Sequence, residues 1–208
     1  MKFKIVSLFV LCAILISCGT SRQGGKKQRK GTKAQVVLTP EQQRKYDYFF
    51  LEASRLKMKD DYSAAFDLLQ HCLTINPNAS SALYEISQYY MYLKQVPQGQ
   101  AALEKAVEND PDNYWYSQGL ASLYQQQNEM QKATNLLESM ATRFSDRMDP
   151  LYSLLDIYNR LEEYDNVITT LNRLEEKMGK NEQLSMEKFR IYLQKKDNQS
   201  AFREIESL

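Results

Sequence analysis

Glu108–Tyr116 reads ENDPDNYWY, and 34 residues earlier Thr74–Ala82 reads TINPNASSA. In each stretch an apolar run ends at Asn or Asp, a Pro follows, and a new run opens behind it. Proline cannot continue a helix, because its ring clashes with the preceding turn and it has no N–H to donate. Each corner therefore closes one helix and sets the start of the next.

Outward from these corners, the chain from Tyr46 falls into rows of 34 residues beginning at Tyr46, Ser80, Tyr114, Met148 and Glu182, with no insertion or deletion. Column 11 reads Leu56, Tyr90, Tyr124, Tyr158, Tyr192, and column 20 reads Ala65, Gly99, Ala133, Val167, Ala201. Column 8 reads Ala53, Ser87, Ala121, Leu155, Phe189, and column 24 reads Leu69, Leu103, Leu137, Leu171, Ile205. Small residues at columns 8 and 20 let two helices of one row approach closely, and the Tyr and Leu columns fill the space beside that contact. Only 7 Gly and 5 Pro against 14 Tyr also favour helix over sheet.

These columns resemble the tetratricopeptide repeat, a 34-residue helix–turn–helix with small residues at 8 and 20, Tyr at 11, an aromatic or Leu at 24 and Pro at 32. The resemblance implies an all-α solenoid of antiparallel helix pairs over 39–208, about five repeats near 46–79, 80–113, 114–147, 148–181 and 182–208. Ala53, Leu56, Ala65, Tyr90, Gly99, Ala121, Tyr124, Ala133, Tyr158, Tyr192 and Ala201 are then the repeat-packing residues. Leu155 and Phe189 are large at column 8, so rows 4 and 5 are expected to pack more openly. Rows 3 and 4 have Ser145 and Gly179 in place of the Pro, so looser corners are expected there. Ahead of the first row, Thr39-Pro40-Glu41-Gln42 reads as a helix start, with Thr39 as N-cap and Gln42 in capping-box register.

In arrays of this kind the first helix of each row lines a concave groove through positions 2, 5, 9 and 12. The resemblance places Phe50, Tyr84, Gln88, Trp115, Gln118, Tyr152 and Asp156 there. Aromatic anchors among adaptable amides suit a protein segment as ligand. The same aromatics serve equally well as inter-repeat packing. The carboxylate-binding clamp of some family members needs Lys, Asn and Arg where this chain has Phe50, Ser54, Glu85, Trp115 and Gly119, so recognition by that clamp is not expected.

The first residues carry a different message. MKFKIVSLFVLCAILISC has a basic start (Lys2, Lys4) and twelve mostly apolar residues from Ile5 to Ile16. That is too short for a membrane span, which needs roughly 20 residues, and suits a secretory signal. Leu15-Ile16-Ser17-Cys18 resembles the lipobox of bacterial lipoproteins. The resemblance implies a signal peptide over 1–17, acylation of Cys18, and a flexible basic tether over 18–38. Several acyl chains at about 0.8 kcal/mol per buried methylene would hold the protein on a membrane. Residues 1–34 carry eight Lys/Arg and no acid; 35–208 carry 19 basic against 26 acidic residues, a net charge of −7. An anionic body argues against nucleic acid as a partner. A basic stretch after the lipidated Cys fits an outer-membrane anchor facing the periplasm.

Catalytic patterns are missing from the sequence. His71 is the one histidine and stands in no ligand cluster; no Walker loop, GxSxG, HExxH or CxxC occurs. Cys72 is the one cysteine of the body and reads as a small buried apolar residue. The expectation is a non-enzymatic scaffold without cofactor or metal, acting through protein partners and an N-terminal lipid. Two other readings stay open. The repeats could be the recognition arm of a longer sensor or enzyme, since row 5 stops at its column 27 and a longer natural chain is expected. Alternatively, the solenoid self-associates through the fifth repeat, where Phe202, Ile205 and Leu208 lack a cover.

Overall fold

The structure is a computed structural model and describes residues 37–208. The expected signal peptide, Cys18 and nearly all of the tether lie outside the described residues. The described part is all-α: α1 (Pro40–Lys57), α2 (Tyr62–Ile75), α3 (Ser80–Tyr92), α4 (Val96–Asn109), α5 (Tyr114–Gln126), α6 (Met130–Arg143), α7 (Asp149–Arg160), α8 (Tyr164–Met178), α9 (Glu182–Gln194) and α10 (Asn198–Glu206). Each helix packs against the one before it and the one after it, giving five helix pairs in the register of the rows.

Local chemistry sets the helix ends. At the start of α1, Gln42 N donates to Thr39 Oγ1 (3.2 Å) while Thr39 N donates to Gln42 Oε1 (2.9 Å), the reciprocal capping box, with Pro40 at the first turn. The turn inside every pair has one construction. Column 15, which is Asp60, Lys94, Asn128, Glu162 and Lys196, stands in the left-handed region at φ 55–61°. The next residue's N–H then closes back onto the column-11 carbonyl: Asp61 to Leu56 (3.0 Å), Gln95 to Tyr90 (2.8 Å), Glu129 to Tyr124 (2.8 Å), Glu163 to Tyr158 (2.9 Å), Asp197 to Tyr192 (2.9 Å). This is the Schellman closure, which satisfies a carbonyl that the helix end leaves open.

Between pairs, Asn76 (φ −132°) and Asp110 (φ −138°) are pushed out of the helical region ahead of Pro77 and Pro111. Struts from the second helix of the following pair hold these corners: Lys105 Nζ donates to Pro77 O (2.6 Å), Asn109 Nδ2 to Asn78 O (3.0 Å), and Arg143 Nη1 to Asp112 Oδ1 (2.5 Å). The Pro-less third corner is not looser. Lys177 Nζ donates to Ser145 O (2.5 Å), and the Phe144 ring packs edge-on against Tyr114 at 5.3 Å, so an aromatic plug stands in for the Pro.

The core runs along the seam within and between pairs. Ala65, Ala133, Val167 and Ala201 of column 20 are fully buried. At Gly99 the fit is tightest: a Cβ would lie 2.7 Å from Met91 Sδ and 3.1 Å from the Ser87 carbonyl oxygen, so α3 and α4 meet at van der Waals distance. Ala53, Ala121, Tyr124 and Tyr158 are buried, while Leu56, Tyr90 and Tyr192 are half-buried. The fourth pair is not open. Leu154, Ile157, Val167, Leu171 and Leu174 are all buried, and Leu155 sits half-buried against that cluster rather than between the helices. Column 10 is buried as Tyr89, Leu123, Ile157 and Ile191, and column 7 as Ile86, Leu120, Leu154 and Lys188. In α1 those columns hold the Glu52–Arg55 ion pair, giving the first pair a polar outer face.

Candidate protein-binding face

The first helices of the five pairs place the anticipated groove residues in two kinds of environment. Phe50 and Tyr84 are half-buried and stacked: Phe50 on Tyr46 (centroids 6.0 Å apart, 8° between planes) and Tyr84 on Tyr116 (4.8 Å, 30°). Tyr84 also packs against the core cluster, so it supports the face more than it offers a contact. Trp115 and Tyr152 stand out, at 63% and 49% exposed. Gln88 is exposed with its amide nitrogen on Ser87 Oγ (3.2 Å), Gln118 is half-buried, and Asp156 is exposed with Arg160 at 3.9 Å.

Trp115 is held by a residue that no motif or column singles out. The Arg147 guanidinium lies over the Tyr114 ring at 4.0 Å and over Trp115 at 5.5 Å, while Tyr114 and Trp115 meet edge-on at 5.3 Å. Asp149 closes the cluster, accepting from Tyr114 Oη (3.4 Å) and pairing with Arg147 (3.6 Å). Burial pushes the Tyr114 hydroxyl's pKa up, Asp149 adds to that and Arg147 opposes it. A cation over two aromatic faces fixes the indole without covering it. Arg147 is the last residue of row 3, just before the next row opens, and only the three-dimensional corner brings it onto the aromatics. Tyr152 is steadied by Met178, its hydroxyl 3.4 Å from the thioether sulfur.

His71 is exposed and its ring lies 5.5 Å from Phe49. Cys72 is fully buried, and burial pushes its thiol up to about 11, which keeps it protonated. Among the described residues no group of three or more His, Cys, Asp and Glu converges as a metal site, and no helix is long and apolar enough to cross a membrane.

Repeat length, left-handed turn column and small-residue columns together define a tetratricopeptide-type solenoid. The family described as Tetratricopeptide repeat matches residues 80–113, which are the second row. Among solved structures, the chain is similar in fold to a MamA protein, at 18% identity, covering 79% of this chain and 90% of that one with a TM-score of 0.59. It is similar also to residues 41 to the end of MamA from Desulfovibrio magneticus RS-1, at 13% identity, covering 78% and 92% with a TM-score of 0.55. A tetratricopeptide repeat protein from Parabacteroides merdae ATCC 43184 aligns at 16% identity, covering 79% and 78% with a TM-score of 0.52. At these identities the likeness is one of fold. No curated protein matches the chain in sequence.

Proposed function

We propose that this protein is a non-catalytic scaffold of the bacterial cell envelope, anchored to the outer membrane by lipid on Cys18 and facing the periplasm. The anchor fixes location, the basic stretch behind it gives a reach of roughly 20–25 Å, and the helix-pair array binds segments of partner proteins along its first-helix face. The observation that carries the binding half is the exposed Trp115, pinned by Arg147 at 5.5 Å yet open to solvent, with exposed Tyr152 on the next pair. Large rigid aromatics that pay little entropy on contact are the residues that dominate protein interfaces. The anchoring half rests on the Leu15–Cys18 motif and the signal-like run ahead of it.

The test is a crosslinking capture from the native host with wild-type protein and with Trp115→Ala/Tyr152→Ala. Both side chains are exposed, so the double variant should keep its helicity. A partner captured by wild type and lost from the variant supports the reading; the same partners from both would sink it. In parallel, Cys18→Ala should abolish incorporation of a labelled fatty acid and move the protein from the membrane to the soluble fraction. Label retained on Cys18→Ala would overturn the anchoring half alone.

A further inference from the structure

Between the first two pairs, on the side where the turns within the pairs lie, is a cavity of about 450 Å³ lined by Lys57, Tyr62, Gln88, Tyr89 and Tyr92. Tyr89 and Tyr92 are three residues apart on α3 and so share a helix face. Tyr62 opens α2, just after the left-handed Asp60 has reversed the chain, and its hydroxyl donates back to Asp60 Oδ1 (2.7 Å). The Tyr89 ring packs beside Tyr62 at 6.4 Å and Phe66 at 5.9 Å. Tyr92, at 80% exposed, stands free beside it.

The polar groups of this slot are unevenly satisfied. The Tyr89 hydroxyl is buried, in a residue only 9% exposed, and has no hydrogen-bond partner among the described residues. A buried hydroxyl left unpaired is a cost of folding that a ligand acceptor would recover. Burial raises its pKa, with Lys57 opposing and Glu85 adding, so at neutral pH it stays a donor. Both nearby carboxylates are already engaged, Glu85 by Lys57 Nζ (2.8 Å) and Asp60 by Tyr62. The Gln88 amide nitrogen is taken by Ser87, which leaves its carbonyl oxygen to the rim.

We infer that this slot binds a proline-rich peptide segment in the polyproline II conformation. Such a segment has no internal hydrogen bonds, so its carbonyls are free to accept, and each proline lacks the N–H that would need an acceptor. The slot is the complement: aromatic walls for the rings, the Tyr89 hydroxyl and the spare protons of Lys57 as donors, and the Gln88 carbonyl with the already engaged Asp60 and Glu85 carboxylates as acceptors for an intervening residue. A cationic ligand would meet Lys57; an anionic one would meet Glu85 and Asp60, in a body of net charge −7. Preformed polyproline also loses little chain entropy on docking, which suits a shallow aromatic site. Lys57 and Gln88 stand at columns 12 and 9, so the slot lies at the first two pairs of the same first-helix face and rests on the groove reading, apart from Trp115 and Tyr152 on the third and fourth pairs.

The experiment titrates the full chain, in detergent micelles, with N-acetylated decaproline amide, a Gly-Ser decamer of the same length, and chitotetraose. Wild type should bind decaproline and neither control. Tyr92→Ala, whose exposed side chain leaves folding alone, should weaken decaproline roughly tenfold, and Tyr89→Phe, which keeps the ring, roughly three- to tenfold. No binding of decaproline, or equal binding by Tyr92→Ala, overturns the inference. Chitotetraose bound in its place would make this a glycan site and overturn it too. Decaproline binding lost in Trp115→Ala/Tyr152→Ala but kept in Tyr92→Ala would move the peptide to the third and fourth pairs, sinking this assignment while leaving the scaffold reading intact.

Discussion

Lys94 stands at φ 59°, where a side chain's Cβ crowds the following carbonyl, and the same holds at Asp60, Asn128, Glu162 and Lys196. For an L residue that conformation costs about 1–2 kcal/mol, less for Asn and Asp, and it persists because the closure onto column 11 fixes the turn. Glycine would remove the crowding but lose more freedom on folding, so the two effects partly cancel. Lys94→Gly should therefore raise stability by a net of about 0.5–1 kcal/mol, seen as a higher urea midpoint at unchanged slope. Asn128→Gly should gain less, since Asn tolerates this region. A midpoint for Lys94→Gly at or below wild type would mean that its side chain supplies an interaction outweighing the strain. The column is illegible to turn rules that look for Gly, because it reads Asp, Lys, Asn, Glu, Lys. Only the period reveals it, through its identical place behind the Leu or Tyr of column 11.

Lys188 gives the α9–α10 pair a character the others lack. It occupies column 7, where Ile86, Leu120 and Leu154 lie buried in the preceding pairs, and it is itself only 3% exposed. Its ammonium pairs with Glu175 of α8 (2.9 Å) and Glu204 of α10 (3.0 Å) and donates to Asn172 (3.3 Å); Ser185 donates to Glu204 (2.8 Å), and Lys180 lies 3.8 Å from it. Burial works to raise the Glu204 pKa, but the Lys188 and Ser185 hydrogen bonds and the two lysine charges outweigh it, so the net shift is downward from 4.5. Burial likewise works to lower the Lys188 pKa, and its two carboxylate partners outweigh it, so the net shift is upward from 10.5. The carboxylate contribution is thus fully present above 4.5 and lost as pH falls through the lowered folded value. The lysine contribution is present below 10.5 and lost as pH rises through the raised one. Lys188→Met should cost about 3 kcal/mol by leaving the Glu175 carboxylate without its cation and Glu204 with only Ser185 and the more distant Lys180, and adding Glu175→Gln and Glu204→Gln should recover most of it. Amide exchange in α9 and α10 reads this directly: protection should hold between those limits and fall in acid ahead of α5–α8. Equal loss across all pairs, or a harmless Lys188→Met, would show that the network does not latch the pair. The helices themselves were legible from the 34-residue columns, because small residues and prolines report steric limits that any such pair must meet. Expectations about fit fared worse. A large Leu155 at column 8 predicts a more open pair, yet a side chain at the margin of a core can lie along it. Ser145 in place of Pro predicts a loose corner, yet Phe144 plugs it from the neighbouring position. Arg147 reaches the opposite end of its own row and Lys188 crosses into the row before, and no column announces either contact.

At the scale of the whole array, stability should be distributed along the chain and not shared equally. Each helix packs chiefly on its neighbours in sequence, with a few contacts one helix further on such as Lys57 of α1 to Glu85 of α3, so the free energy of the array is close to a sum of pair and interface contributions. The buried side chains fall into two clusters. The first, under α1–α3, is built of Ala53, Ala65, Leu69, Cys72, Ala79, Ala82, Ile86 and Tyr89. The second spans α4–α9 and is rich in Leu and Ile, including Leu120, Leu137, Leu151, Leu154, Ile157, Leu171 and Leu174. Burying a Leu or Ile contributes about 1.5–3 kcal/mol, and an Ala much less, so the second cluster should be the stronger. The small residues of the first permit close packing but bring little apolar area with them. Hydrogen exchange followed by mass spectrometry should accordingly show α1 and α2 opening more readily than α5–α8. Leu154→Ala, at a fully buried position, should cost about 2–5 kcal/mol and lower protection chiefly in α5–α9 while leaving α1–α2 close to their wild-type rates. If that substitution lowered protection uniformly from α1 to α10, the array would be opening as one cooperative unit. The two clusters would then have to be coupled through the tight α3–α4 contact at Gly99, and the additive description would be wrong for this protein.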